Sequence, residues 1–211
     1  RYLHAPQNPD SIRHNNPMRV FEDRRGTLWV TTFGGGLEVY DRANDRFMHY
    51  IHDPNNANTI NHNTVWSLYE DRSGVMWVGT YGGGINLYDR KTERLTRWRR
   101  QPANLNSLVN DDVTAIYADR QGDIWIGTNA GLDRYDPQRG DFRHYHTEPD
   151  NPRSLSNNQI RALAEDQDGS IWIATFMGGV NRYDRQTDQF TRYQHDPQNP
   201  ESLSENNCWY L

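Results

Sequence analysis

Four tryptophans set the length scale of this chain: Trp29, Trp77, Trp125 and Trp172 recur at spacings of 48, 48 and 47 residues. A period of that size means a row of like supersecondary units, each leaning on its neighbours, rather than one continuous core. Other positions keep step. Gly26, Gly74, Gly122 and Gly169 each precede a Trp by three residues, and Asp23, Asp71, Asp119 and Asp166 each precede a Gly by three. Tyr40-Asp41, Tyr88-Asp89, Tyr135-Asp136 and Tyr183-Asp184 follow in register. The third copy is one residue short, with Asn129-Ala130-Gly131 where the first two copies have Phe33-Gly34-Gly35-Gly36 and Tyr81-Gly82-Gly83-Gly84. Each copy closes on an aromatic, Tyr50, Trp98, Tyr145 or Tyr193, and Tyr2 is the same residue of an earlier copy.

Within a copy the pattern reads as four short strands. In the second, Val65 to Glu70 is followed by Asp71-Arg72-Ser73-Gly74, a hairpin loop whose glycine can take a positive φ. The next strand, Val75 to Tyr81, sends Trp77 to one face and Met76 and Val78 to the other, so the sheet must be covered on both sides. Gly82 to Gly84 turn into a third strand, Ile85 to Tyr88, and Asp89 to Glu93 turn into a fourth, Arg94 to Trp98. Hydrophobic residues make up only 34% of the 211, and they can build a core only from fixed, repeated places. The reading is all-β: a β-propeller of four-stranded blades packed face to face.

A connector of 14 residues joins successive blades, and its regularity argues for order. Counted from the closing aromatic, position +4 is always Pro, +6 is Asn (Asn8, Asn56, Asn104, Asn151, Asn199) and +9 is Ser or Thr. Position +10 is aliphatic: Ile12, Ile60, Leu108, Leu155, Leu203. This predicts a Pro-set turn, Asx-type side-chain bonds to the backbone, and one plug that pins the loop to the blade. Complete blades are expected at about 15–50, 63–98, 111–145 and 158–193, with partial strands at 1–3 and 206–211. The expected whole is an arc of a propeller of roughly six to eight blades, with closure around a reduced fifth blade as the alternative.

Twenty-eight acidic residues against twenty-three Lys and Arg give a net charge of -5 without a basic cluster, which argues against nucleic acid as a partner. No apolar run approaches the roughly 20 residues of a membrane span, so a membrane would be met only through segments outside this chain. The one cysteine, Cys208, excludes an internal disulfide and a thiolate metal cluster.

Gly74-Val75-Met76-Trp77-Val78-Gly79-Thr80 and Gly122-Asp123-Ile124-Trp125-Ile126-Gly127-Thr128, each after Asp-x-x and before Gly and Tyr-Asp, resemble the two-component regulator propeller repeats. Ser154-Leu155-Ser156-Asn157-Asn158, ahead of a first strand, is similar to the family too. Thr31 and Ala174 stand where the motif has Gly, exchanges that suit a strand. Kelch repeats, sialidase Asp boxes and WD repeats order their residues differently. The resemblance implies the extracytoplasmic sensor of a membrane signalling protein, a hybrid histidine kinase or a diguanylate cyclase, lying on the periplasmic or extracellular side. It implies recognition of a small-molecule or oligosaccharide signal, with any kinase or cyclase output outside these residues.

Positions that recur in every blade belong to the fold, so function is sought where the copies differ. Position +16 reads Met18, Trp66, Thr114, Arg161 and Trp209, and the residues after the second strand include Phe33, Tyr81, Asn129, Phe176 and Met177. Flat aromatics can stack on sugar faces while amides and imidazoles supply hydrogen bonds. The candidate ligand-binding set is His62, Asn63, Trp66, Tyr81, Asn129, Asn158, Arg161, Phe176 and Met177. Packing between blades and the covering of glycine backbone are the competing roles for these side chains. His144 and His146 form a His-x-His pair, but His144 has a counterpart in His49 and reads as a surface strand residue. Asp166-Gln167-Asp168-Gly169 lacks the later bidentate Glu of a calcium loop. No catalytic residue, metal site or cofactor is expected. A propeller-fold lyase or hydrolase is the alternative, as is a protein-binding or dimerisation scaffold, with self-association through exposed blade faces.

Overall fold

The computed structural model describes all residues, Arg1–Leu211, as sixteen strands with no helix. Blade A comprises β1 (Pro17–Glu22), β2 (Leu28–Thr32), β3 (Leu37–Asp41) and β4 (Arg46–Tyr50). Blade B comprises β5 (Val65–Glu70), β6 (Val75–Thr80), β7 (Gly84–Asp89) and β8 (Arg94–Trp98). Blade C runs through β9 (Val113–Ala118), β10 (Ile124–Thr128), β11 (Leu132–Asp136) and β12 (Asp141–Tyr145), and blade D through β13 (Ile160–Glu165), β14 (Ile171–Thr175), β15 (Gly179–Asp184) and β16 (Gln189–Tyr193). Every sheet keeps its strands in chain order, the meander expected of a propeller blade.

The strands of blade B depart from expectation by single residues. Tyr81 leaves the ladder, whereas Gly84 pairs with Thr80 and Asp89 with Val75, which lengthens β7 at both ends. Residues 1–3 and 206–211, expected as partial strands, form none. Tyr2 nevertheless does the work of a closing aromatic: its hydroxyl lies 2.6 Å from that of Tyr40 and donates to Asp45 at 2.7 Å.

The chain folds as two compact units, Arg1–Arg99 with Asp111–Val113, and Arg100–Asn110 with Thr114–Leu211. Blades A and B interleave in the first, where Trp29, Val65, Met76 and Val78 share one core and β5 runs beside β1 and β2. Blades C and D do so in the second, around Trp125, Ile160, Ile173 and Tyr183, with β13 beside β10. Both faces of the Trp strand are covered, as the sequence requires: Met76, Trp77 and Val78 are all buried. Each indole withdraws roughly 200 Å² from water, about 5 kcal/mol before entropic costs.

The Asp-x-x-Gly-x-x-Trp spacing is a lock between a hairpin loop and its strand. Asp23, Asp71, Asp119 and Asp166 accept from the indole Nε1 of Trp29, Trp77, Trp125 and Trp172 at 2.7, 3.0, 2.7 and 2.7 Å. Their second oxygens take backbone N–H groups of the same loops, as Asp119 does from Gln121, Gly122 and Asp123. Two of these carboxylates also hold the following blade: Arg90 reaches back to Asp23 and Glu70, and Arg185 to Asp119 and Asp123.

Connector geometry follows the sequence closely. The +9 hydroxyl accepts from a backbone N–H six residues earlier, as in Ser11 to Ala5 and Ser154 to Glu148. The plugs Ile12, Ile60, Leu108 and Leu155 are buried. A further fastening comes from a polar residue near the start of each third strand and its cross-strand partner, Glu38 and His49, Asn86 and Arg97, Asp133 and His144, Asn181 and Arg192. In blade D, Asn181 Oδ1 accepts from Ser156 N at 2.9 Å, and Arg192 donates to the carbonyls of Asn151, Ser154 and Leu155. In blade C, Asp133 Oδ2 accepts from Val109 N at 2.9 Å, while His144 meets Asp133 through Nδ1 and the Leu105 carbonyl through Nε2, both at 2.7 Å. Acid with His and Asn with Arg are thus two solutions to one backbone problem. His144, expected as a surface strand residue, is half-buried and belongs to this latch.

Candidate functional site

In blades A, B and D the first strand pairs with the second through a register shift that skips one residue: Met18, Trp66 and Arg161. A bulged residue is left out of the ladder and its side chain is re-aimed. The skipped residue is in each case the +16 position, which changes in size and charge between copies. At the end of the second strand the chain leaves the sheet, and the N–H groups of Phe33, Tyr81 and Phe176 bond the +14 carbonyls of Asn16, Thr64 and Gln159. Bulge and turn therefore bring two non-repeated side chains to one rim.

In the first unit this rim carries aromatic rings. Trp66 stacks on Tyr81 with centroids 5.9 Å apart at 26°, and the His62 ring lies 6.5 Å from Tyr81. Tyr81 is 45% exposed, so its ring reaches solvent. His62 Nδ1 accepts from Thr64 N at 3.0 Å, which fixes the ring and leaves Nε2 as its donor. Asn63 belongs to the connector: its Oδ1 accepts from His52 N at 2.7 Å.

The second unit places a cation among rings. The Arg161 guanidinium lies 5.1 Å from the Phe176 centroid and 5.3 Å from that of Trp209, and the two rings meet edge-on at 6.3 Å. Arg161 also donates to Asn129 Oδ1 at 2.8 Å and to Gln159 Oε1 at 3.1 Å. Partial burial pulls the guanidinium below the usual arginine value; neutral acceptors and aromatic faces hold it in place. Met177 follows Phe176 at φ 61°, 62% exposed, where blades A and B have Gly34 and Gly82. Asn158 matches Asn63, with its Oδ1 on Thr147 N at 2.7 Å. Beside the cluster a cavity of about 460 Å³ opens between the turn Asn129-Ala130 and the connector residues 156–159.

Of the nine candidates, Trp66, Tyr81 and His62 come together in one unit and Asn129, Arg161 and Phe176 in the other, with Met177 adjoining. Asn63 and Asn158 have their oxygens committed to the connector, a role that the +13 position also has at Asn15 and Asn206. Gln159 was not in the candidate set. It carries Arg161 and lines the cavity, and the varied +14 series Asn16, Thr64, Asp112, Gln159, Asn207 was the signal available for it.

The two component regulator propeller model matches residues 59–82, 107–130 and 154–177, each match running from a connector through the first hairpin into the turn after the second strand. Three stretches of this chain thus match the two component regulator propeller repeat. Among solved structures it is similar to the extracellular domain of the hybrid two component system BT3049 of B. thetaiotaomicron. That match has 25% identity and a TM-score of 0.75, over 86% of this chain and 25% of that one. The extracellular domain of BT4673 from the same organism matches at 25% identity and TM-score 0.69, over 87% of this chain and 25% of the other. The chain thus spans about a quarter of the length of these relatives. Virginiamycin B lyase of Staphylococcus aureus shares the fold, at 15% identity and TM-score 0.60 over 86% of this chain and 56% of the lyase. No curated protein matches the chain. No helix is long and apolar enough to cross a membrane.

Proposed function

We propose that this chain is the signal-recognising propeller of an extracytoplasmic receptor, and that it takes an oligosaccharide at its rim clusters. The observation that carries this reading is the convergence of bulge and turn: side chains that change from copy to copy meet there, Trp66 on Tyr81 and Arg161 against Phe176 and Trp209. Ring faces offer an apolar platform to the C–H face of a pyranose, and the amides and the imidazole beside them offer directional bonds to its hydroxyls. The similar extracellular domains of hybrid two component systems support a signalling context. In such a receptor recognition is the part this propeller performs, and the output chemistry belongs to other domains.

Thermal unfolding against a panel of oligosaccharides tests the reading. A ligand present at a hundred times its dissociation constant stabilises by about 2.7 kcal/mol. We expect one saccharide class to raise the midpoint and Trp66→Ala or Arg161→Ala to abolish the gain. Stabilisation that survives both substitutions contradicts the rim as the site.

A further inference from the structure

The turns after the second strands of blades A, B and D are tied down. Gly36 N donates to the Asn63 carbonyl at 2.7 Å, Gly84 N to that of Asp111 at 2.9 Å and Gly179 N to that of Asn206 at 2.8 Å. Each bond fastens a turn to the connector leading into the next blade. Blade C has no such bond. Its turn is one residue shorter, and Gly131 makes no hydrogen bond to Asn158, the residue matching Asn63, Asp111 and Asn206. The gap left there is the cavity of about 460 Å³, within the range of small-ligand sites.

The polarity of its lining is set by the protein. Asn157 Oδ1 accepts from Gln159 N at 2.8 Å, Asn158 Oδ1 from Thr147 N at 2.7 Å, and Gln159 Oε1 from Arg161 at 3.1 Å. A backbone N–H and a guanidinium can only donate, so the orientation of all three amides is decided and none can flip. Their NH₂ groups make no hydrogen bond within the protein. The lining therefore carries three unengaged NH₂ donors beside the hydroxyls of Thr147 and Ser156, and no carboxylate lines it. The bond from Arg161 draws electron density toward Gln159 Oε1 and strengthens Gln159 as a donor.

We propose that this cavity binds the carboxylate of a uronate sugar through the NH₂ groups of Asn157, Asn158 and Gln159. The proposal deepens the recognition reading above and rests on it. A carboxylate is acceptor-only and takes several donors at once, which matches a lining with three carboxamides whose oxygens are engaged elsewhere, one of them by a guanidinium.

The test follows the side-chain amide NMR signals of the isotope-labelled chain during titration with D-glucuronate and D-galacturonate, with D-glucose and D-galactose as neutral counterparts. Asn158→Asp is the decisive variant. It keeps the oxygen that Thr147 N needs and replaces the donor with an acceptor, and Asp111 already stands at the same connector position. A second variant inserts Gly after Ala130 to restore the longer turn. Uronates should move the signals of Asn157, Asn158 and Gln159 while the neutral sugars leave them in place, and Asn158→Asp should weaken uronate binding by about tenfold or more. The inserted glycine should close the cavity and abolish the response. Equal responses to uronates and neutral sugars, or uronate affinity unchanged in Asn158→Asp, overturn the inference. If these amides stay silent while the oligosaccharide panel still stabilises the chain, the inference falls and the recognition reading stands; silence in both experiments removes both.

Discussion

Blades C and D occupy one unit, carry the same Asp and Trp lock and bury the same plug, yet they solve three local problems differently. Blade C fastens its connector with Asp133 and His144, blade D with Asn181 and Arg192. The turn of blade D is bonded to the next connector through Gly179, and that of blade C is open. Asp119 of blade C is buried and holds Arg185 of blade D, whereas Asp166 is half-exposed. Residues that repeat hold each blade together; residues that differ set how each blade is fastened to its connector and its neighbour.

The largest expected contrast lies in the lock itself. Asp119→Ala strips Trp125 Nε1 of its acceptor and leaves Arg185, whose side chain is 17% exposed, without its main counter-charge. Breaking one side of a buried pair costs about 3 to 5 kcal/mol. Asp166→Ala removes the same motif residue in blade D and should cost clearly less, as read from urea midpoints of the two variants. Equal losses would mean that the lock alone, and not its link to the next blade, carries the stability.

The latch ranks next. Asp133→Asn alone should lose about 1 to 3 kcal/mol, because the single amide oxygen can accept from Val109 N or from the protonated His144 Nδ1 but not from both. Adding His144→Arg should recover most of that by installing the blade D solution, a coupling measurable in a double-mutant cycle. Additive losses would show that the two pairings are not interchangeable.

A pH effect follows, and its sign is fixed. The hydrogen bond with Asp133 raises His144, and burial raises Asp133, so the folded pair keeps a proton that an unfolded imidazole releases near pH 6.5. Folding therefore binds protons above that pH. This contribution is complete below about pH 6.5 and is lost as pH rises through the folded value. Unfolding midpoints should fall on the alkaline side, and the fall should shrink in the Asp133→Asn, His144→Arg pair. The smallest effect is expected at Met177, held at φ 61° on an exposed turn. Met177→Gly relieves left-handed strain and loosens the unfolded chain, so stability should shift by less than about 1 kcal/mol while ligand affinity drops.

Much of this was legible in the sequence because a propeller repeats its solutions. The 48-residue period, the plug at +10 and the Asp, Gly and Trp spacing each map onto a bond or a buried side chain. The bulge at +16 was not legible, since one extra residue in a strand leaves the repeat length unchanged and shows only in the ladder. The latch left a trace that was not followed: Glu38 with His49 and Asp133 with His144, eleven residues apart, alternate with Asn86 and Arg97, Asn181 and Arg192. Asn63 and Asn158 were ambiguous in the sequence because carboxamides suit ligands and Asx turns equally well; only the position of a backbone N–H shows that their oxygens belong to the connector.

Residue-resolved amide hydrogen exchange on Gly36, Gly84, Gly131 and Gly179 tests most directly whether the blade C turn is the open one. The account predicts three slow glycines and one fast, Gly131. Protection of Gly131 equal to that of Gly179 would mean that the shorter turn is closed as well, and would contradict the claim that the missing residue makes the site.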